Sequence, residues 1–550
     1  MIRARPKNLC GRKFLRIHLP ITLSISIGVA SVFVGSGFLQ YANAAGAAES
    51  PPNWRLLEAS IDDIHSALNS GKTTCRELVQ RYLIRIEAYD KKGPALNAVQ
   101  TVNPRALEEA GKLDAAFKKS GFVGPLHCVP VLVKDQVETS DMPTTYGSAL
   151  FKDFISERDA TIVTKMKRAG AIVLAKTNMG EFAAGYVGSA FGFIRNAYAP
   201  DRNPSGSSGG TASGIAANYA AVGIGEDTAG SIRGPAAVSN LVGLRPTVPL
   251  VSRFGMMPSA PTRDTLGPIT RTVRDAAILL DVLAGYDPKD PVTAYSVGHV
   301  PKSYTAFLVK DGLQGARLGV IREPMDSKTK PTSEDYLKVK AAIDKAIGDL
   351  KALGAEVADP VTIPDLKNLI QKTGLSRYET EPATDRYLAD HPNTAVDSLR
   401  YIVLSDKVAP SRRTGLMVSI GKTTDDLVYL QLEKERERLR QAVLKVMADN
   451  KLDALVYATF DHQTTVIPPD PLTKPEKVSS PGNNRLLSPA LAFPALTVPA
   501  GFTSDKLPVG LEFLGRPFDE GALFKLGYSY EQGTHHRMPP STTPALPGEP

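Results

Sequence analysis

The sequence predicts an α/β protein built as one large domain, and three observations carry that prediction. Residues 129–133 and 171–175 are short β-rich runs, and 159–169 between them reads as a helix; strand, helix, strand at this spacing points to parallel α/β architecture. Residues 56–117 carry helical periodicity. No internal repeat and no convincing linker interrupts 56–538, so the 550-residue chain is read as one domain although its length could hold two or three.

Residues 1–44 read as a signal peptide. A basic stretch ending at Arg16 precedes an uncharged apolar run from about Leu19 to Leu39, and Ala42-Asn43-Ala44 supplies the small-x-small pattern for cleavage after Ala44. A retained membrane anchor is the alternative, because roughly twenty apolar residues can span a bilayer. Export to the periplasm or the medium follows, with no stable membrane partner once the leader is removed. The leader also explains the charge. Six basic residues and no acidic ones lie in 1–44, which leaves the rest of the chain with only +2 of the formal +8.

Residues 45–59 form a Pro/Ala/Ser-rich lead-in, and the domain proper is expected over 60–538. Ile61, Ile64 and Leu68 repeat at helix spacing, as do Leu78, Tyr82, Leu83 and Ile86. Thr73 or Thr74 can cap the second helix, and Glu77 stands three residues past Thr74 for a capping box. Beyond the two early strands, Pro204-Ser205-Gly206-Ser207-Ser208-Gly209-Gly210 is a Ser/Gly loop that leads into a small-residue helix from Thr211 to about Ala221. A second Gly-rich turn, from Gly225 to Ser231, follows. Helices are expected over 334–353 and 424–447, and strands around 495–498 and 509–514. The Pro/Thr-rich tail, 539–550, is expected to be disordered.

Hydrophobic residues are 42% of the chain and charged residues 22%, the balance of a globular protein with a real core. Cys10 leaves with the leader. Whether Cys75 and Cys128 pair is open, and two buried thiols are the working expectation. With no His-x-x-x-His or Cys-x-x-Cys pair, a dedicated zinc site is not expected. The Glu433–Arg438 run reads as an exposed mixed-charge helix face, and no basic cluster is interleaved with aromatics, so nucleic acid is not an expected partner.

The chemistry lies in the two Gly-rich turns. A nucleophilic serine needs a base, a proton relay and donors for an oxyanion. Glycines let backbone N–H groups converge on one point, so a turn such as Thr228-Ala229-Gly230-Ser231 can aim several amides at a carbonyl oxygen. Phosphate binding is the competing use of such loops, yet neither a Walker ending nor a Gly-x-Gly-x-x-Gly pattern is present. Ser327-Lys328-Thr329-Lys330 and Lys372-Thr373-Gly374 match the short motifs of penicillin-recognising hydrolases. They lie too close together, and no Ser-Asp-Asn accompanies them.

Along roughly 60–538 the chain closely resembles the amidase signature family. Pro130-Val131-Leu132-Val133-Lys134-Asp135 is similar to the family's catalytic-lysine strand, and 170–182 to its next landmark. Ser207-Ser208-Gly209-Gly210 and Asp227-Thr228-Ala229-Gly230-Ser231-Ile232-Arg233 resemble the two halves of the signature, and 493–501 and 510–517 resemble later family segments.

The resemblance implies a large mixed, twisted β-sheet covered by helices on both faces, and hydrolysis of a small-molecule amide through an acyl-enzyme, with neither metal nor cofactor. It implies Ser231 as nucleophile, Ser207 after a cis peptide bond as the bridge, and Lys134 as the base. The amides of Thr228, Ala229, Gly230 and Ser231 would form the oxyanion hole, with Asp227 and Arg233 bracing the loop. The segment 378–404, with Tyr387, is similar to a helical region of monofunctional amidases, where such regions help shape the acyl pocket. Two departures stand out. Ala229 replaces the first glycine of a common Gly-Gly-Ser, which preserves the hole if its φ is negative, and Ser205-Gly206 replaces a frequent Gly-Gly. The alternative reading is a partner-dependent, amidotransferase-like subunit on the same scaffold.

Overall fold

A computed structural model describes residues 54–474 and 481–550. The leader and its cleavage site lie outside the described residues. Among the described residues no helix is long and apolar enough to cross a membrane.

Among the described residues eleven strands form one sheet: β1 (Val99–Val102), β2 (Pro130–Lys134), β3 (Ile172–Thr177), β6 (Val222–Glu226), β7 (Val242–Arg245), β8 (Leu266–Thr270), β9 (Arg317–Ile321), β10 (Glu356–Val361), β11 (Ala454–Ala458), β12 (Ala495–Phe502) and β13 (Pro508–Leu514), while β4 (Val187–Gly188) and β5 (Gly192–Phe193) make a small separate hairpin. The spatial order is β1-β3-β2-β6-β8-β7-β12-β13-β11-β9-β10. Pairing is parallel for β3/β2, β2/β6, β11/β9 and β9/β10, and antiparallel elsewhere in this sheet. The sheet is therefore mixed.

Both faces are covered, and the strands themselves record it. In β11, Ala454 and Val456 enter the larger core cluster, whereas Leu455 and Tyr457 enter a second one with the helix Leu427–Asp449. Successive side chains on a strand point to opposite faces, so two apolar layers need two sets of helices.

Local signals account for the first helices. Ser60 and Asp63 make a capping box on Ile61–Asn69, and Thr74 with Glu77 makes one on Cys75–Tyr89. The exposed reading of the Glu433–Arg438 run holds for Lys434, Glu437 and Arg438 only; Glu433 and Glu435 are half-buried and Arg436 is buried.

Two expectations do not hold. Cys75 and Cys128 are not separate thiols: they form a disulfide, with Cα atoms 5.4 Å apart. The tail 539–550 is not disordered but packs on the domain. The buried Arg85 guanidinium donates to the carbonyls of Thr543 and Pro544 and to the Glu549 carboxylate at 2.6 Å, and Leu56 N–H donates to Pro550 O. A buried guanidinium has five donors to satisfy. The tail's backbone oxygens provide acceptors that Pro/Thr composition does not reveal.

Candidate active site

The site assembles at the C-terminal ends of two interior strands, because β2 and β6 are parallel neighbours and end on the same side. Lys134 is the last residue of β2, and Glu226 is the last residue of β6. Lys134 Nζ lies 2.8 Å from Glu226 Oε2 and 2.7 Å from Ser207 Oγ. All three residues are fully buried. Burial pushes the lysine below its ordinary pKa, against the opposing pull of Glu226, Asp227 and Asp264.

Ser207 stands in the Ser/Gly loop just before the helix Gly209–Ala216, and the Gly206–Ser207 peptide bond is cis. Gly206 has no substitute here, since a Cβ would fall 1.7 Å from Gly185 O. Ser205 takes a left-handed φ of 61° and is held through its hydroxyl, which accepts from Arg485 Nη1 at 3.0 Å. The Ser207 carbonyl accepts from Gly180 N–H, and the Ser208 N–H donates to the Ser231 carbonyl, so the two signature loops are tied together.

The loop after β6 turns around Asp227. Its carboxylate accepts from Gly230 N–H at 2.6 Å and Ile232 N–H at 3.2 Å, and it pairs with Arg233 and Arg245 at 3.2 Å each. Burial alone would raise this carboxyl; the two guanidiniums and the Gly230 amide hold it well below the usual range. Arg233 also reaches Glu512 of β13.

One expected role changes at this loop. Gly230 N–H already serves Asp227, so it is not an open donor for an oxyanion. Among the described residues the N–H groups of Thr228, Ala229 and Ser231 meet no protein acceptor. Ala229 lies outside the positive-φ region, whereas Gly230 adopts φ 101°. The alanine therefore leaves the turn's geometry intact. Ser231 is 6% exposed, in contrast to the sealed Lys134 and Ser207.

A cavity of ≈ 250 Å³ opens beside this point, lined by Gly185, Tyr186, Ser205, Gly206, Arg412 and Arg485 among others. The helix Ser376–Ala389, which contains Tyr387, packs nearby. Tyr387 O–H donates to Glu138 at 2.6 Å, and Thr380 and Thr384 share a small cavity with Gln136 and Met179.

Sequence reasoning did not single out Glu226, Asp264 or Arg245. Glu226 stands beside Asp227 in the signature loop, and a second acidic residue at the mouth of a Gly-rich turn was the available signal. The grouping of potential metal ligands among the described residues is Cys75, His127 and Cys128, and its two sulfurs are joined to each other.

Comparisons with known proteins fit this architecture. The model of the Amidase family matches residues 77–524, and the chain belongs to that family. It is a hydrolase of amide C–N bonds. A curated Arabidopsis thaliana protein named a probable amidase is 32% identical over 514 residues, covering 88% of this chain and 92% of its own length. A glutamyl-tRNA(Gln) amidotransferase subunit from an Exiguobacterium strain is 34% identical, with 87% and 98% covered. The native peptide amidase of Stenotrophomonas maltophilia superposes with a TM-score of 0.78 at 34% identity, covering 89% of this chain and all of that one.

Proposed function

We propose that Ser231 is the nucleophile of this amidase, that Ser207 bridges it to Lys134, and that Lys134 in its neutral form is the general base. The observation that carries the reading is the 2.7 Å contact of Lys134 Nζ with Ser207 Oγ in a place closed to water. An amine there can shed its charge, as a base near neutral pH must.

In this mechanism Ser231 attacks the amide carbonyl while its proton passes through Ser207 to Lys134. The N–H groups of Thr228, Ala229 and Ser231 receive the oxyanion, and losing one such donor costs typically about 3–4 kcal/mol. Lys134 then returns the proton to the leaving amine, and water releases the acyl group by the same relay. Asp227, clamped by Arg233 and Arg245, keeps the loop in place.

The chain acts alone on a small amide, as an exported enzyme cleaved after Ala44. The Cys75–Cys128 disulfide supports export, because such bonds persist in oxidising compartments. The similarity to amidotransferase subunits favours a second reading, in which turnover needs a partner.

The test uses the purified mature chain alone on a panel of simple amides, with mass spectrometry of the enzyme. Hydrolysis with a transient acyl adduct on Ser231, both lost in Ser231→Ala, is the expected result. Wild-type rates in Ser231→Ala would defeat the assignment, and hydrolysis only with a second protein present would favour the partner reading. A mature N-terminus other than Ala45 would remove the predicted cleavage site.

A further inference from the structure

Glu226 touches the base of this site, yet the mechanism above gives it no task. Its Oε1 lies 2.6 Å from Thr228 Oγ1, and that hydroxyl lies 2.8 Å from Asp264 Oδ1. Glu226 and Asp264 are fully buried, and Thr228 nearly so.

A threonine hydroxyl has one proton and can donate to only one of these two oxygens. At the other contact two bare oxygens would face each other in a dry place, unless that carboxyl carries a proton of its own. Asp264 is the better anion. Its Oδ2 accepts two backbone N–H groups, from Ser259 at 2.7 Å and Ala260 at 2.8 Å, and such bonds stabilise the ionised form. Among the described residues the Glu226 carboxyl receives no backbone N–H. The proton therefore belongs on Glu226 Oε1, which donates to Thr228, which in turn donates to Asp264.

Lys134 gives the same count. Nζ has three polar neighbours: Ser207 Oγ at 2.7 Å, Glu226 Oε2 at 2.8 Å and the Glu226 main-chain oxygen at 3.3 Å. A neutral amine directs its two N–H bonds at the Glu226 oxygens and its lone pair at the Ser207 hydroxyl. An ammonium would donate to all three, and Ser207 could not then pass it a proton. An ionised Glu226 would hold the lysine in that form.

We propose that Glu226 is a positioning residue for Lys134, a buried carboxylic acid kept protonated through Thr228 and Asp264, which turns the lysine's lone pair toward Ser207. This rests on the reading of Lys134 as the base. The charged and titratable groups facing Glu226 are Lys134 from β2, Asp264 from the segment before β8, Arg245 from β7 and the adjoining Asp227, itself clamped by Arg233. Burial pushes the Glu226 carboxyl above the usual carboxylate range; it pushes Asp264 up as well, where the Thr228 hydroxyl and the Ser259 and Ala260 amides pull the other way. During turnover Glu226 keeps its proton: Lys134 gains one from Ser207 and gives it to the leaving amine, so the cluster ends as it began.

Infrared difference spectroscopy of the resting wild-type enzyme against Glu226→Gln tests this without turnover. Loss of a protonated-carboxyl C=O band in the variant is expected; loss of ionised-carboxylate bands overturns the proposal. Because no substrate is present, that failure is distinct from failure of the Ser231 assignment, which is read from activity. In kinetics, glutamine mimics the neutral acid. Glu226→Gln should recover most of the roughly hundredfold or greater loss of kcat in Glu226→Ala, with its acid limb where the wild type has it. An acid limb displaced by about one pH unit or more in Glu226→Gln means the carboxyl was ionised and overturns the proposal. If Glu226→Ala does not fold, the infrared comparison and the Glu226→Gln pH profile still decide.

Discussion

The amine of Lys134 stands 2.7 Å from the hydroxyl of Ser207, and neither residue exposes any surface to water. The two positions are 73 residues apart in the chain. Their meeting depends on the parallel pairing of β2 with β6 and on the turn that carries Ser207 back over the strand ends.

The pH dependence of activity follows from that burial. Desolvation depresses the lysine pKa, so its neutral, basic form is reached at lower pH than for a free lysine near about 10.4. Activity should be full above the depressed pKa and fall as pH drops through it. The acid limb of the kcat/KM profile is expected below the ordinary lysine value; an acid limb centred at about 10 would show an unperturbed lysine. Replacing Lys134 with Met should lower kcat by about 10²–10⁴-fold.

Asp227 is the counter-charge for two buried guanidiniums. Asp227→Asn keeps the shape but leaves Arg245 without its ionic partner and Arg233 with only Glu512. Breaking a buried pair from one side costs about 3–5 kcal/mol, so denaturant unfolding should show a loss of that order together with reduced kcat. Wild-type stability in the variant would mean the loop is braced elsewhere.

The two residues before Ser231 should respond in opposite ways. Gly230→Ala places a Cβ at φ 101° and 2.4 Å from Arg485 Cβ, which the loop cannot absorb without moving. Activity should drop by at least about tenfold. Ala229→Gly needs no such movement and leaves the N–H in place, so its kcat should stay within about threefold of wild type. Equal effects at both positions would contradict this account of the turn.

The disulfide should matter to stability rather than to chemistry. It joins residues 53 apart, which in the chain-entropy account is worth about 4 kcal/mol. Cys75→Ser with Cys128→Ser, or reductant, should lower Tm while leaving kcat of the folded enzyme little changed. An unchanged Tm on reduction would show that the link contributes nothing.

Acid should weaken the domain partly through Glu138. Burial alone would raise this carboxyl, but hydrogen bonds from His391, Tyr387 and Ser156 hold it at about 2, below its ordinary 4.5. A depressed acid stabilises the fold above its unfolded pKa, and that contribution, on the order of 3 kcal/mol, is lost as pH falls from about 4.5 toward about 2. Glu138→Gln should be clearly less stable than wild type at neutral pH, and the difference should shrink across that acid window. A constant difference would remove Glu138 from the account.

Much of the framework was legible from short-range pattern. The β-rich runs at 129–133 and 171–175, the periodicity at Ile61, Ile64 and Leu68, and the Thr74/Glu77 capping box depend on residues a few positions apart, and they appear in the fold close to where the chain places them. The ordered landmarks at Lys134, Ser207 and Ser231 pointed to the kind of chemistry through their resemblance to the amidase signature family; a Ser/Gly turn by itself carries no such information.

Contacts across long stretches of chain were not legible. Glu226 beside Lys134, the carbonyls of the tail on Arg85 and the joining of Cys75 to Cys128 depend on which surfaces pack together; the capture of Gly230 N–H by the nearby Asp227 depends on how that one loop closes. Burial decides the rest. Side-chain type tells which groups can titrate, but the surrounding atoms set whether water can stabilise a charge, and so how readily the buried Lys134 gives up its proton.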